Sequence, residues 1–346
     1  MTAKVTIREV AKAAGVAIGT ASRALNRSGR VSDKAIAAVT KAARDLGYEP
    51  DAVAQSMRTR STGVVGMLVS DLSNPLYAHI ITAVEARLST AGYALLIAST
   101  HNEGRREKTL VDLFRRRRVD GLVLGPCEAE DPKYLDKVGA ELPVIALERD
   151  FGSNNAAVHI DHYNGALQAT RYLLNLGHTR VALLTPGSAV RSGRERIAGY
   201  MDAYAERGIK PDPRLVRAKS AMDFAFSESL SLLGSSHAPT AFLCLGTRIL
   251  AGVLQGLRHA GRTVPDDVSV ISIGDTDLAQ FFSPAITALT WDATAVGTAV
   301  AELLLQRMTR TEPSEPERIL LTTQLILRES CGPAAKASSA TQRVRT

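Results

Sequence analysis

The sequence predicts an α/β protein: a small N-terminal unit of three helices, then two doubly wound parallel-sheet subdomains. Three observations carry this. Apolar runs of strand length recur along residues 62–332, with amphipathic helix-length stretches between them, the rhythm of parallel sheets covered on both faces. That body spans about 270 residues, which is long for a single sheet and divides into two. The first 60 residues show three short helical patterns and a different charge balance.

The 346 residues carry a net charge of +7, unevenly spread. Residues 1–60 hold 11 basic and 5 acidic residues, residues 61–332 hold 28 and 30, and residues 333–346 hold three basic and no acidic ones. A basic unit on a near-neutral body points to a reader of a polyanion attached to something else. Hydrophobic residues make up 45%, which excludes a wholly disordered chain. No window approaches 18 consecutive apolar residues, which argues against a membrane span. The start, MTAKVTIREV, has no apolar signal core, which argues against export and for a cytoplasmic protein. Cys127, Cys244 and Cys331 lie far apart in no metal-ligand spacing, as reduced packing residues would. No metal or cofactor is expected. The tail, PAAKASSATQRVRT, is too poor in large apolar residues to fold and is expected to be disordered.

In the first unit, Thr6-Ile7-Arg8-Glu9 fits a capping box, with Thr6 as N-cap and Glu9 reaching back to its N–H. Ile7, Val10, Ala11 and Ala14 follow at helical spacing, and Gly15 offers a stop. A second helix runs from Ile18 to Leu25 with Ala21, Ala24 and Leu25 inward. Asn26 to Gly29 reads as a loop, and Ser32-Asp33 caps a third helix through Ile36, Val39, Ala42 and Leu46, closed by Gly47. Three short helices joined by tight turns in a basic unit suggest a helix-turn-helix.

In the body, Val64 to Val69 reads as a strand, Pro75 to Ala91 as a helix, Tyr93 to Ala98 as a strand, Arg105 to Arg116 as a helix and Gly121 to Leu124 as a strand. The strand pattern returns at 144–147, 181–184, 241–245 and 268–273. In such open sheets, ligands bind in the crevice outside the carboxyl ends of the strands. Arg115 to Arg118 reads as a solvated helix end, where cations are favoured. His159 and His162, three apart at a strand end, make a poor metal site and read as a crossover or pocket edge.

Two runs, TIREVAKAAGVAIGTASRALN (6–26) and VSDKAIAAVTKAARDLGYEPDAVAQSMR (31–58), resemble the N-terminal region of lac repressor-type (LacI/GalR) bacterial regulators. SDLSNPLY (70–77), RRRRVDGLVL (115–124), LGHTRVALL (176–184), RERIAGY (194–200), PTAFLCL (239–245) and VPDDVSVISIGD (264–275) extend the resemblance to about residue 332. It implies a helix-turn-helix DNA-binding domain over residues 1–50 and a hinge over 51–61. A periplasmic-binding-protein-like effector domain over 62–332 follows, its chain crossing between subdomains near 160, 290 and 320. Ile18, Gly19 and Arg23 then stand at base-reading positions. Arg23 can pair with guanine O6 and N7, Ile18 offers only apolar contact, and Gly19 offers no side chain. Thr20 and Ser22 suit phosphate oxygens; Thr6, Ala17, Asn26 and Tyr48 complete the DNA-binding set. In the hinge, Met57 stands where a wedging Leu is common, and Ala54 lets two hinges approach.

The same resemblance places Asp71, Asn74, Leu76 and Tyr77 on the N-terminal wall of an effector pocket. Glu148, Arg149, Asp161, Arg194, Arg196, Arg248, Asp275 and Trp291 are expected around it. Gly274 stands where the family often has an Asp for sugar hydroxyls, and Trp291 where a polar residue is frequent. A lost acceptor beside Arg196, Arg149 and Arg248 tilts the pocket from a sugar toward a small anion. Pairing of Arg149 or Arg248 with Glu148 or Asp275 is the competing reading.

A ligand-responsive regulator binding a near-palindromic operator as a homodimer follows from this, with repression the commoner family outcome and activation left open. An enzyme is disfavoured, since no P-loop, GxSxG elbow or GxGxxG after a strand is present. A solute-binding transport component would need an export signal. A tetramer is disfavoured because residues 333–346 show no leucine heptads.

Overall fold

The computed structural model describes residues 5–26, 29–48, 61–127, 132–150, 156–219, 222–309 and 317–334. The chain forms two compact units, Met1–Thr62 and Gly63–Thr346. The expected hinge from Asp51, including Ala54 and Met57, lies outside the described residues, as does the tail beyond Ala334.

In the first unit, α1 (Ile7–Ala13), α2 (Ile18–Leu25) and α3 (Asp33–Asp45) pack around Val10, Ala11, Ala21, Ala24, Val39, Ala42 and Ala43. Five of these seven are alanines, so the helices approach closely around a thin core. Glu9 accepts from the Thr6 backbone N–H at 2.7 Å and from its hydroxyl at 2.9 Å. Gly15, just past α1, takes φ +66°, a left-handed stop that costs glycine least. Ser32 caps α3 by accepting from the Ala35 N–H.

The second unit contains two six-stranded sheets. Sheet one comprises β1 (Val64–Val69), β2 (Ala94–Ser99), β3 (Gly121–Leu124), β4 (Val144–Leu147), β5 (Ala156–Ile160) and β11 (Arg318–Leu321). Its order is β11-β5-β4-β3-β1-β2, with every pairing parallel. Helices α4 (Pro75–Thr90) and α12 (Ala293–Thr309) cover one face, and α5 (Gly104–Arg116) and α6 (Pro132–Glu141) the other. Sheet two comprises β6 (Val181–Thr185), β7 (Val216–Ala218), β8 (Ala241–Cys244), β9 (Ser269–Ile273), β10 (Thr287–Thr290) and β12 (Gln324–Ile326). Its order is β12-β10-β9-β8-β6-β7, parallel except for β10 with β12. Helices α7 (His162–Asn175) and α8 (Arg191–Ala205) lie on one face, and α9 (Met222–Leu233) and α10 (Thr247–His259) on the other. A short α11 (Asp277–Phe281) follows β9.

The central strands β3, β4, β6, β8 and β9 are buried along their whole length, which is why they read as continuous apolar runs rather than alternating ones. Chain passage between the sheets occurs at Ile160–His162, at Thr290–Ala293, where α12 returns to sheet one, and at Leu321–Gln324. Helices α7 and α8 pack closely at Gly199. A β-carbon there would lie 2.9 Å from the Leu167 backbone nitrogen and on top of the Tyr163 carbonyl oxygen. Pro333 and Ala334, read with the tail in the sequence, are held instead: the Ala334 N–H donates to the Leu176 carbonyl at 2.9 Å.

Candidate functional site

Two surfaces offer chemistry. On α2, Ala17, Ile18, Gly19 and Arg23 are exposed, while Thr20, Ser22 and Asn26 are half-buried. Ile18 is 48% exposed although its side chain is wholly apolar, and nothing approaches the Gly19 α-carbon within 4 Å of a would-be β-carbon. Ala17, the N-cap, brings no capping side chain, so the first-turn N–H groups of α2 stay open. Arg23 rests its Nε–H on the Gly19 carbonyl at 3.1 Å, along the exposed face. Asn26 donates to the Ser22 carbonyl at 2.6 Å and so closes the helix. Thr6 is engaged with Glu9, and Tyr48 packs against the small core.

The second surface is a cleft of about 750 Å³ between the sheets of the second unit, at the carboxyl ends of their strands. Asp71, Asn74, Leu76, Tyr77, Glu148, Arg196, Arg248 and Trp291, all expected there, line it. Asn74 accepts from the Leu76 N–H at 3.1 Å and caps α4. Arg248, at the start of α10, reaches across the mouth to Asp71 at 3.4 Å and the Ser73 hydroxyl at 3.1 Å. Burial pushes the Asp71 carboxyl up, but bonds from Ser73 and the charge of Arg248 outweigh it and hold the carboxyl below its ordinary range.

A buried polar chain forms the floor. Arg196 donates to the Leu245 carbonyl at 2.8 Å and to His162 Nδ1 at 3.3 Å. His162 Nε2 bonds Glu148, whose other oxygen accepts the Ile160 N–H. Since a guanidinium only donates, Nδ1 carries the lone pair and Nε2 the proton, so the ring is neutral. Burial likewise drives the His162 pKa down, against the pull of Glu148. Burial alone raises the Glu148 carboxyl, yet His162, the Ile160 N–H and Arg191 at 3.9 Å bring it below its ordinary value. Arg196 is pushed down to about 10, mainly by burial, and Tyr77 up to about 12 for the same reason. Trp291 meets the His162 ring edge-on at 5.8 Å.

Backbone strain concentrates here. Glu148, His101 and Asn102 all line the cleft with φ between 53 and 60°, a region costing a non-glycine residue about 1–2 kcal/mol. Gly274 takes φ +80°, and Leu76 packs where its β-carbon would be, so an apolar side chain from the opposite wall fills the expected Asp position.

Four expected pocket residues are engaged elsewhere. Arg149 is 4% exposed and pairs with Glu107 of α5, a buried carboxylate that needs a cation, and donates to the Gly125 carbonyl. Asp161 caps α7, accepting from the Asn164 N–H at 3.0 Å. Arg194 pairs with Asp150 on the exposed rim, and Asp275 with Arg328 at 2.6 Å. Arg248 does find a carboxylate, Asp71 rather than Asp275 or Glu148. Sequence reasoning gave no ligand role to His162, Ser192 or Asn102, which also line the cleft. Ser192 follows β6 at the start of α8, a position that the crevice rule flags.

Among the described residues, no group of three or more His, Cys, Asp or Glu side chains could hold a metal, and no helix is long and apolar enough to cross a membrane. Arg115 pairs with Asp112 and Glu141 at the end of α5.

Residues 6–51 match a family described as bacterial regulatory proteins, lacI family, and residues 170–331 a periplasmic binding protein-like domain. The HTH-type transcriptional regulator CelR of Thermobifida fusca is 33% identical over 339 residues, covering 94% of this chain and 98% of that protein. A solved transcriptional regulator CelR-cellobiose complex aligns with TM-score 0.71 at 31% identity, over 94% of this chain and all of the other. A lac repressor dimer bound to operator and the anti-inducer ONPF shares the fold, with TM-score 0.85 at 24% identity, over 95% and 99% of the two chains.

Proposed function

The chain belongs to the lacI family of bacterial regulatory proteins and is a DNA-binding transcription regulator rather than an enzyme, and we propose that it is a ligand-responsive repressor. Two copies present α2 to two half-sites of a near-palindromic operator. The cleft takes a small-molecule effector, whose binding changes the closure of the two sheets on each other and, through the expected hinge, operator affinity. The protein works in the cytoplasm on nucleoid DNA.

The observation that carries this reading is the open face of α2: an exposed Ile18, a bare Gly19 and Arg23, within the basic N-terminal stretch of the chain. Such a face is left open by the described residues of its own unit, and its inventory suits a major groove: apolar contact, close approach and one guanine-reading cation. Support for a homodimer comes from α11, where Phe281 is 81% exposed beside a partly exposed Leu278. The bridge from Arg248 to Asp71 supports a cleft whose walls engage each other.

Selection of binding sites from random duplexes, followed by mobility shift over a salt series, tests the reading. A two-fold-symmetric site should emerge, and its affinity should fall steeply with salt through released counterions. Selection of no symmetric site, or an affinity indifferent to salt, refutes it.

A further inference from the structure

The cleft floor holds a buried guanidinium that reaches its nearest carboxylate, Glu148, only through His162. Arg196 is 5% exposed; its two terminal nitrogens donate to a carbonyl and to a neutral imidazole, and its Nε–H has no partner among the described residues. No carboxylate bonds it directly. Beside it, α8 begins behind Val190, which offers no capping side chain, and Val190 and Ser192 both line the cleft. The free N–H groups of this 15-residue helix therefore open on the same wall as Arg196, with the positive end of its dipole. The Tyr77 hydroxyl accepts from Ser70 and keeps its own proton to give.

Among the described residues, the carboxylates of the cleft and Asn74 already hold donors. Both Glu148 oxygens take bonds, from the Ile160 N–H and from His162; Asp71 takes Ser73 and Arg248; Asn74 Oδ1 takes the Leu76 N–H. Gly274 supplies none, and Leu76, Ile80, Ile273 and Trp291 make much of the remaining wall apolar. Each hydroxyl of a polyol brings a donor that must be accepted or pay for its desolvation. A buried guanidinium with no carboxylate bonded to it has the opposite requirement: acceptors, best met by an anion.

We infer that the cleft takes a small organic carboxylate with an apolar, ring-sized body, its carboxylate between Arg196 and the first turn of α8 and its ring against Trp291, Leu76 and Ile273. This rests on the reading of the cleft as the effector site.

Four probes of one ring size separate charge from polarity: cyclohexanecarboxylate, cyclohexanecarboxamide, glucuronate and glucose, with cellobiose as a fifth. Trp291 is the chain's single tryptophan, so its emission reports occupancy of the cleft. For the full chain, cyclohexanecarboxylate should titrate that emission and raise Tm by about 3 °C at ten times its Kd. The neutral amide should bind at least about tenfold more weakly, and the three sugars should leave both signals unchanged. Ser192→Ala, whose side chain makes no bond that the fold needs, should weaken cyclohexanecarboxylate by roughly three- to tenfold. Arg196→Gln should abolish binding, and circular dichroism verifies that it folds.

Binding of glucose or cellobiose with the cyclohexane carboxylate silent overturns the inference, as do equal affinities for carboxylate and amide, or silence from all five. The effector reading fails separately, if a probe that titrates Trp291 leaves operator affinity unchanged.

Discussion

Acidification should destabilise the second unit through two buried imidazoles. His162 and His178 are 1% and 2% exposed, and burial lowers the pKa of each from its ordinary value of 6.5. His178 sits among Thr240, Ser269 and the Gly332 carbonyl, at 2.9–3.0 Å, with no carboxylate bonded to it. A folded pKa below the unfolded one means that the unfolded chain takes up protons first as pH falls. Stability is then full above about pH 7 and declines below 6.5, until the folded ring itself protonates. A ring that stays neutral throughout costs about 1.4 kcal/mol between pH 7.5 and 5.5, so close to 3 kcal/mol is the ceiling for the two together. For a unit spanning Gly63–Thr346 that ceiling corresponds to a fall in Tm of roughly 5 °C. Scanning calorimetry across this range measures it, and His162→Gln and His178→Gln should each reduce the slope, whatever they do to stability at pH 7.5, the half-buried His159, lowered by burial too, supplying part of the remainder. A Tm that is flat between pH 7.5 and 5.5, or a slope untouched in both variants, refutes the reasoning.

Gly199→Ala should destabilise by about 2 kcal/mol in urea unfolding, since backbone of α7 blocks the new methyl and the gain in helix propensity offsets only part of that. Gly19→Ala, with open space around it, should instead stabilise the first unit by about 1 kcal/mol in thermal melts followed by circular dichroism. Arg23→Ala should cost about 1–3 kcal/mol of operator affinity in a mobility shift and relax preference at one base pair per half-site. Arg248→Met should change stability by less than about 1 kcal/mol, because its bridge to Asp71 is half exposed, and a chemical melt at two salt concentrations would reveal a larger share.

Much of the fold was legible because its signals are local. A run such as Gly121-Leu122-Val123-Leu124 is apolar because both its faces are covered, and Thr6-Glu9 and Ser32-Asp33 mark helix starts within one turn. The edge strands β7, β11 and β12 are short and partly exposed and carry no comparable run, while β5 (AAVHI) and β10 (TALT), though mostly buried, hold too few large apolar residues to stand out. The cleft was legible in the residues that follow strands, Asp71 to Tyr77 above all. It was not legible where a side chain chooses among distant partners. Arg149 faces Glu107, 42 residues earlier, and Asp275 faces Arg328, 53 residues later; no spacing rule foretells either choice. Leu76 in the space above Gly274 likewise joins two walls that meet only in the folded chain.

The threefold passage between the sheets has a consequence for the order in which the protein is made. Five of the six strands of sheet one, with α4, α5 and α6, have been synthesised by Ile160, yet α12 and β11, at 293–309 and 318–321, complete that sheet only after nearly all of sheet two has been made. The N-terminal half must therefore wait, with the part of one face beside α4 and the β5 edge uncovered, for a segment about 130 residues downstream, an interval of roughly 7–25 s at ordinary elongation rates. During that interval it is an aggregation-prone intermediate, and its best protection is the speed with which the remaining helices arrive.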